Sequence, residues 1–228
     1  MSINMNQETT VIRSGEYSSV LETNKVLRNT YGLLSLTLLF SALVAGFVMT
    51  TQATPLNPIF TLIGYFGLLF LTSRLRNSAW GILSVFALTG FMGYTLGPIV
   101  NVYIHNFANG PQLVFTALAG TGLIFVALSG YALISKKDFS FMTGFVMTGL
   151  IVAFLASLAG LFFHTPMLML AVSAAFVMLS SAVILIQTSQ IIHGGETNYI
   201  MATVTLYVSL FNIFISLLQI LGFVSNRD

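Results

Sequence analysis

The side chains in this chain that could do chemistry are few. Its six carboxylates are Glu8, Glu16, Glu22, Asp138, Glu196 and Asp228, its three histidines are His105, His164 and His193, and it has no cysteine. The lack of thiols excludes disulfides, thiolate metal sites, iron–sulfur clusters and cysteine nucleophiles together. Serine hydrolysis needs an activated serine with a base in reach. Ser129, in ALSGY, and His193 form the one pair worth naming, and no oxyanion-donating motif accompanies it. His105 and His164 lack an acidic or thiol companion, which is too little for zinc. Glu196 beside His193 in HGGE could make a surface ion site, but two glycines there are equally explained by a turn at a helix end. Asp138 in KKDFSF reads as a helix N-cap. Calcium wants several oxygen ligands, usually carboxylates, and every acid here lies in a tail or a loop. The chain therefore reads as no enzyme, with no cofactor and no metal.

The remaining candidates are neutral. Ser209, Asn212, Ser216 and Gln219 recur at i, i+3, i+7 and i+10, which places them on one helical face. Ser173, Ser180 and Gln187 recur at seven-residue intervals. Lipid gives no hydrophobic drive between helices, so contacts there depend on close packing and hydrogen bonds. Two polar stripes facing each other would either bond the helices together or line a hydrated path. Gly90, Gly93 and Gly97, with Pro98 behind them, predict a close helix-packing face followed by a kink or break.

What must position these residues is a membrane bundle. Of the 228 residues 56% are hydrophobic and only 6% charged, against roughly a quarter charged in a soluble domain. A water-facing surface cannot be covered on that composition. A helix needs about 20 residues to cross about 30 Å of hydrocarbon. The uncharged runs 29–73, 77–135, 139–195 and 197–226 hold two, two, two and one such spans. The fold class expected is all-α, with seven transmembrane helices near 30–50, 58–74, 79–99, 112–134, 140–163, 167–191 and 202–223. TQATPLNP at 51–58, NVYIHNFANGP at 101–111 and HTP at 164–166 punctuate the long runs.

Basic residues in short loops stay on the cytoplasmic side. Arg13, Lys25, Arg28, Arg74, Arg76, Lys136 and Lys137 fall on one side of the expected topology, and Arg227 alone on the other. The N terminus is thus expected in the cytoplasm and the C terminus in the periplasm; a re-entrant sixth segment would reverse the latter. Residues 1–28 lack the apolar core and cleavage site of a signal peptide and read as a flexible cytoplasmic tail, ahead of a membrane domain over 29–228. The net charge of +2 is no argument for nucleic acid, and the lipid bilayer is the expected partner.

NKVLRNTYGLLSLTLLFSA, GYTLGPIVN, KKDFSF and above all IIHGGETNYIMATVTLYVSLFNIFISLLQILGF resemble the Bax inhibitor-1 family, in its proteobacterial YccA branch. The resemblance runs from about Asn24 to the C terminus. It implies a seven-helix bundle whose last helix is enclosed by the others. For the wider family it implies a pH-gated Ca²⁺ leak, through paired Asp residues on helices six and seven and a latch Arg near the end of helix two. For the YccA branch it implies an inner-membrane protein that binds and modulates the membrane AAA protease FtsH, as a slowly processed substrate or competitor. Matched residue by residue, the family's acid on helix six corresponds to Gln187 in LIQTSQI and its second acid to Ser209 in LYVSLFNIF. Both are neutral here. Ser180, Asn212 and Ser216 are the neighbouring interior polar residues, and Arg74 or Arg76 matches the latch. The function expected is FtsH modulation, with a pH-sensitive Ca²⁺ leak as the alternative.

Overall fold

The computed structural model describes residues 4–51, 53–163 and 165–225. They form α1 (Asn4–Thr50), α2 (Pro58–Leu75), α3 (Trp80–Asn106), α4 (Gly110–Ser135), a 3-10 turn (Ser140–Met142), α5 (Thr143–Phe163), α6 (Pro166–Ile192) and α7 (Tyr199–Ser225). Seven stretches among the described residues are long and apolar enough to cross a membrane, the first of them Thr23–Thr50. The helices start where proline allows: Pro58, Pro111 and Pro166 sit in the first turn of α2, α4 and α6, where their missing N–H costs nothing. Asn57 adds a cap on α2, its side chain accepting from Ile59 N at 2.9 Å. Lys136 closes α4 in the left-handed region at φ 49°, and Gly194 turns the chain after α6 at φ 74°.

Two elements run beyond their expected ends. α1 is helical from Asn4, where the polar composition predicted a tail. A helix already nucleated in the membrane can lengthen through such residues without a new nucleation step. α3 passes through Pro98 and continues to Asn106: of the kink or break expected at Pro98 the break does not occur, and residues 101–106, expected in a loop, are helical. Pro98 removes one backbone bond, but Gly97 and Pro98 are both buried in the bundle, and packing on neighbours sustains a helix across proline in a membrane.

The glycine row packs on α1, as its spacing predicts. A Cβ placed on Gly97 would meet Ala45 O and Val48 at 2.9 Å, one on Gly93 would run into Ser41, and one on Gly90 would stand 2.8 Å from Phe40. The α1–α3 seam is the most extensive helix contact, followed by α6–α7. α7 is the enclosed helix. It packs against α6, α4, α1 and α3, and Ala202, Leu206, Ile213 and Leu218 on it are almost wholly buried. α2 is the opposite case, since it packs chiefly on α3 and turns Phe60, Ile63, Phe66 and Phe70 outward. With Leu43 and Phe47 of α1 and Phe145 of α5, these form an apolar outer belt that only lipid can solvate.

Candidate functional site

The two polar stripes lie on the two helices expected to carry them, and they meet at one level. Ser173 Oγ of α6 donates to Gln219 Oε1 of α7 at 2.6 Å. Ser173 and Ser216 are buried, Asn212 is half-buried and Gln219 is exposed. Deeper in, Ser180 is 1% and Gln187 6% exposed, yet Ser180 Oγ and Gln187 Nε2 have no hydrogen-bond partner, and neither do Ser129 Oγ of α4 and Thr30 Oγ1 of α1. Ser209 is buried as well, but its hydroxyl donates to Thr205 O of its own helix at 2.8 Å. No hydrogen bond from the Gln187 amide therefore reaches Ser209. Unpartnered buried groups cost about 1–3 kcal/mol each when dry, and a buried water bonded to them would lift that cost. The chemistry available is hydrogen bonding by neutral oxygens and one amide. Dehydrating a divalent cation asks for more than this, and among the described residues no group of three or more His, Asp or Glu could hold a metal ion.

Arg74 and Arg76 are exposed at the end of α2. It is the backbone of Arg76 that makes a connection: its carbonyl accepts from Asn198 Nδ2 at 3.0 Å, while the same amide donates to Asn77 Oδ1 at 2.9 Å. This ties the α2–α3 loop to the start of α7. The α4–α5 loop is held to the end of α6 by Ser189, whose hydroxyl accepts from Phe139 N and donates to Lys137 O, both at 3.0 Å. Arg74, Arg76, Lys136 and Lys137 thus share one end of the bundle, its basic face. At the other end Ser225 Oγ donates to Asn109 Oδ1 at 2.9 Å.

The catalytic pair does not form. His193 places Nδ1 2.8 Å from Ser189 O and Nε2 3.1 Å from Lys136 O, and Ser129 is buried without a partner. Glu196 accepts from Asn198 N at 2.7 Å, so it shapes the turn into α7 rather than an ion site with His193. His105 Nδ1 lies 2.9 Å from Asn101 O on its own helix; His164 lies outside the described residues. Asp138 acts one residue ahead of an N-cap, accepting from Ser140 N at 2.8 Å. That backbone bond, with the Ser140 hydroxyl second, holds its carboxyl below the usual carboxylate range.

Sequence reasoning missed the bonds that bind the enclosed helix. Tyr207 OH of α7 donates to Ser41 Oγ of α1 and lies 3.4 Å from Thr89 O of α3. Thr203 Oγ1 of α7 shares its proton between Tyr199 O of its own helix at 2.7 Å and Thr30 O of α1 at 3.2 Å; between other helices, the Tyr31 and Thr188 hydroxyls of α1 and α6 lie 3.3 Å apart, and those of Tyr65 and Thr95 of α2 and α3 2.7 Å apart. The available signal was a tyrosine in the middle of an apolar run, since a buried phenol needs a partner.

Residues 23–226 match the profile of the family described as Bax1-I, inhibitor of apoptosis-promoting Bax1. The chain is similar to the modulator of FtsH protease YccA of Escherichia coli K12, with 51% identity over 96% of this chain and 98% of the relative. A second Escherichia coli relative, the inner membrane protein YccA, matches to the same extent. An uncharacterized protein of Pseudomonas aeruginosa is 57% identical over 91% of this chain and 93% of its own length. Enclosed seventh helix, seven apolar spans and a match over almost the whole membrane domain agree: the chain belongs to the Bax inhibitor-1 family of membrane-embedded proteins.

Proposed function

We propose that this chain is an inner-membrane protein that binds FtsH and modulates it, without catalysis of its own, as a slowly processed substrate or competitor. The observation that carries this reading is the 51% identity, across nearly the full length of both chains, to a protein named as a modulator of that protease. The architecture supports a mechanism. Residues 1–28 serve as a cytoplasmic handle that from Asn4 onward is the first part of α1, and residues 29–228 as the membrane domain, with the basic face toward the cytoplasm and the C terminus in the periplasm. A processive ATPase that grips the handle pulls first on α1. That helix is packed into the glycine row of α3 and bonded to α7 through Thr203 and Tyr207, so it resists removal while the protease stays engaged.

Gln187 and Ser209 act in this reading as interior hydrogen-bonding positions alongside Ser180, Asn212 and Ser216, and not as an ion path. Arg74 and Arg76 then have no acidic partner to latch. Affinity capture of the tagged chain from membranes should bring down FtsH, and deletion of residues 2–20 should lengthen the chain's half-life in cells with active protease. Absence of FtsH from the capture overturns the reading. Unchanged half-life together with unchanged interference with other substrates overturns the role of the handle.

A further inference from the structure

The bundle leaves a lateral gap between four of its helices. A cavity of about 390 Å³ lies between α2, α3, α5 and α6, a volume in the range of small-molecule sites. Its walls include Leu62 of α2, Ile99 of α3, Leu158 of α5 and Val172 of α6, with Gln219 of α7 contributing a primary amide. Phe154 on its wall meets the outward-facing Phe66 edge to face, with ring centroids 6.0 Å apart. Phe66 is eight residues from the start of α2 and Phe154 nine from the end of α5. At 1.5 Å per residue the ring pair lies about 12–13 Å below the helix ends opposite the basic face.

Two observations say what the crevice takes. Its rim is continuous with the apolar outer belt, because Ile59, Ile63, Leu155 and Met167 beside it are all more than half exposed. Its wall also carries a primary amide: Gln219 Oε1 accepts from Ser173 Oγ at 2.6 Å, a hydroxyl also 2.8 Å from Met169 O, and the amide's Nε2 bears two hydrogens that can donate to a ligand. Gln219 is six residues from the end of the 27-residue α7. A helix of that length exceeds the hydrocarbon thickness by about 10 Å, so Gln219 sits within a few ångströms of the hydrocarbon boundary, where glycerol esters lie. We propose that the crevice binds one glycerophospholipid from the leaflet opposite the basic face, an acyl chain entering between α2 and α5 and its ester carbonyl accepting from Gln219 Nε2.

The test uses the full chain in detergent with Trp80→Phe, which removes the only tryptophan, and one new reporter at a time. Leu158→Trp reports from the crevice and Ile63→Trp from the outward face. Each is five residues from its helix end on the same side, hence at equal depth. Phosphatidylethanolamine with brominated acyl chains is titrated in as quencher. Leu158→Trp should be quenched saturably at about one lipid per chain, well before Ile63→Trp responds. Gln219→Leu should weaken that phase by about fivefold to tenfold, the change one ordinary hydrogen bond carries. Ala156→Phe, which fills the crevice, should abolish it. The proposal is overturned if both reporters titrate together, if the phase survives Ala156→Phe, or if Gln219→Leu leaves its midpoint unchanged. Saturation by a brominated free fatty acid but not by the phospholipid overturns it as well.

Discussion

Replacing Gly97 by leucine should destabilise the bundle more than removing the Tyr207 hydroxyl, and the structure says by how much. A Cβ at position 97 would stand 2.9 Å from Ala45 O and 2.9 Å from Val48 Cβ, where ordinary contact begins at 3.4 Å. The difference, 3.4 − 2.9 = 0.5 Å, must be taken up by α1 as a whole, since a carbonyl in a helical ladder cannot swing aside. Leucine adds three more carbons behind that Cβ. Overpacking of this kind costs about 1–3 kcal/mol, sometimes more, against which the helix gains about 0.8–1.0 kcal/mol by losing a glycine. Tyr207→Phe removes one hydrogen bond to Ser41, and such bonds between membrane helices average about 0.6 kcal/mol, with a maximum near 1.7. The first contact alone leaves a net cost of about 0–2 kcal/mol, comparable to that hydrogen bond, and the three further carbons pressed against α1 carry the total above it. Thermal unfolding of both variants in one detergent at one pH measures it. A Gly97→Leu melting temperature at or above that of the unchanged chain, or above that of Tyr207→Phe, would refute the reasoning.

Further expectations concern the interior and the loops. Gln187→Asp with Ser209→Asp should lower the melting temperature more at pH 8 than at pH 5, because protonated carboxyls can be housed where ionised ones in a low-dielectric interior cannot; equal shifts would mean that the two positions are solvated or apart. Asp138 has a depressed folded-state value, so its contribution to the loop is present above the unfolded value of about 3.9 and lost as pH falls through the folded one. The protection factor of the Ser140 amide, its exchange compared with that of an unstructured peptide at the same pH, should thus be steady from pH 8 to 5, fall below about pH 4, and lose that fall once Asp138→Asn is made. Ser189→Ala should expose the α4–α5 loop to protease, since it removes both bonds to residues 137 and 139; unchanged cleavage counts against the tether. Purified protein in liposomes should pass no appreciable Ca²⁺, and a pH-dependent leak abolished by Ser209→Leu would reinstate the ion path.

The seven spans were legible because charges and Pro-rich loops interrupt apolar runs of nearly fixed length, a constraint set by the bilayer rather than by packing. The glycine row was legible for a similar reason, since only small residues at helical spacing let two backbones approach. Of the kink or break expected at Pro98, the break does not occur, because its local rule, a lost bond and a steric clash, ignores the burial of Gly97 and Pro98 that holds α3 together. The polar face of α7 could be read from its period, and Gln219 does meet Ser173. What the period cannot fix is where each hydroxyl turns. Ser209 spends its donor on Thr205 O, and Tyr207 finds Ser41 166 positions away. Contacts of that separation depend on the order in which helices surround α7, and nothing in one helix's spacing records it.

The central claim is that this chain engages FtsH and slows its work on other membrane substrates. Its most direct test is degradation of a labelled membrane substrate by FtsH and ATP in liposomes, with and without the purified chain. The substrate's half-life should rise in proportion to the amount of chain added, while the chain itself is consumed more slowly than the substrate, and Gly97→Leu should shorten the chain's survival and weaken the protection. Degradation of the substrate at an unchanged rate, with the chain reconstituted at equal or greater amount than the protease, would contradict it.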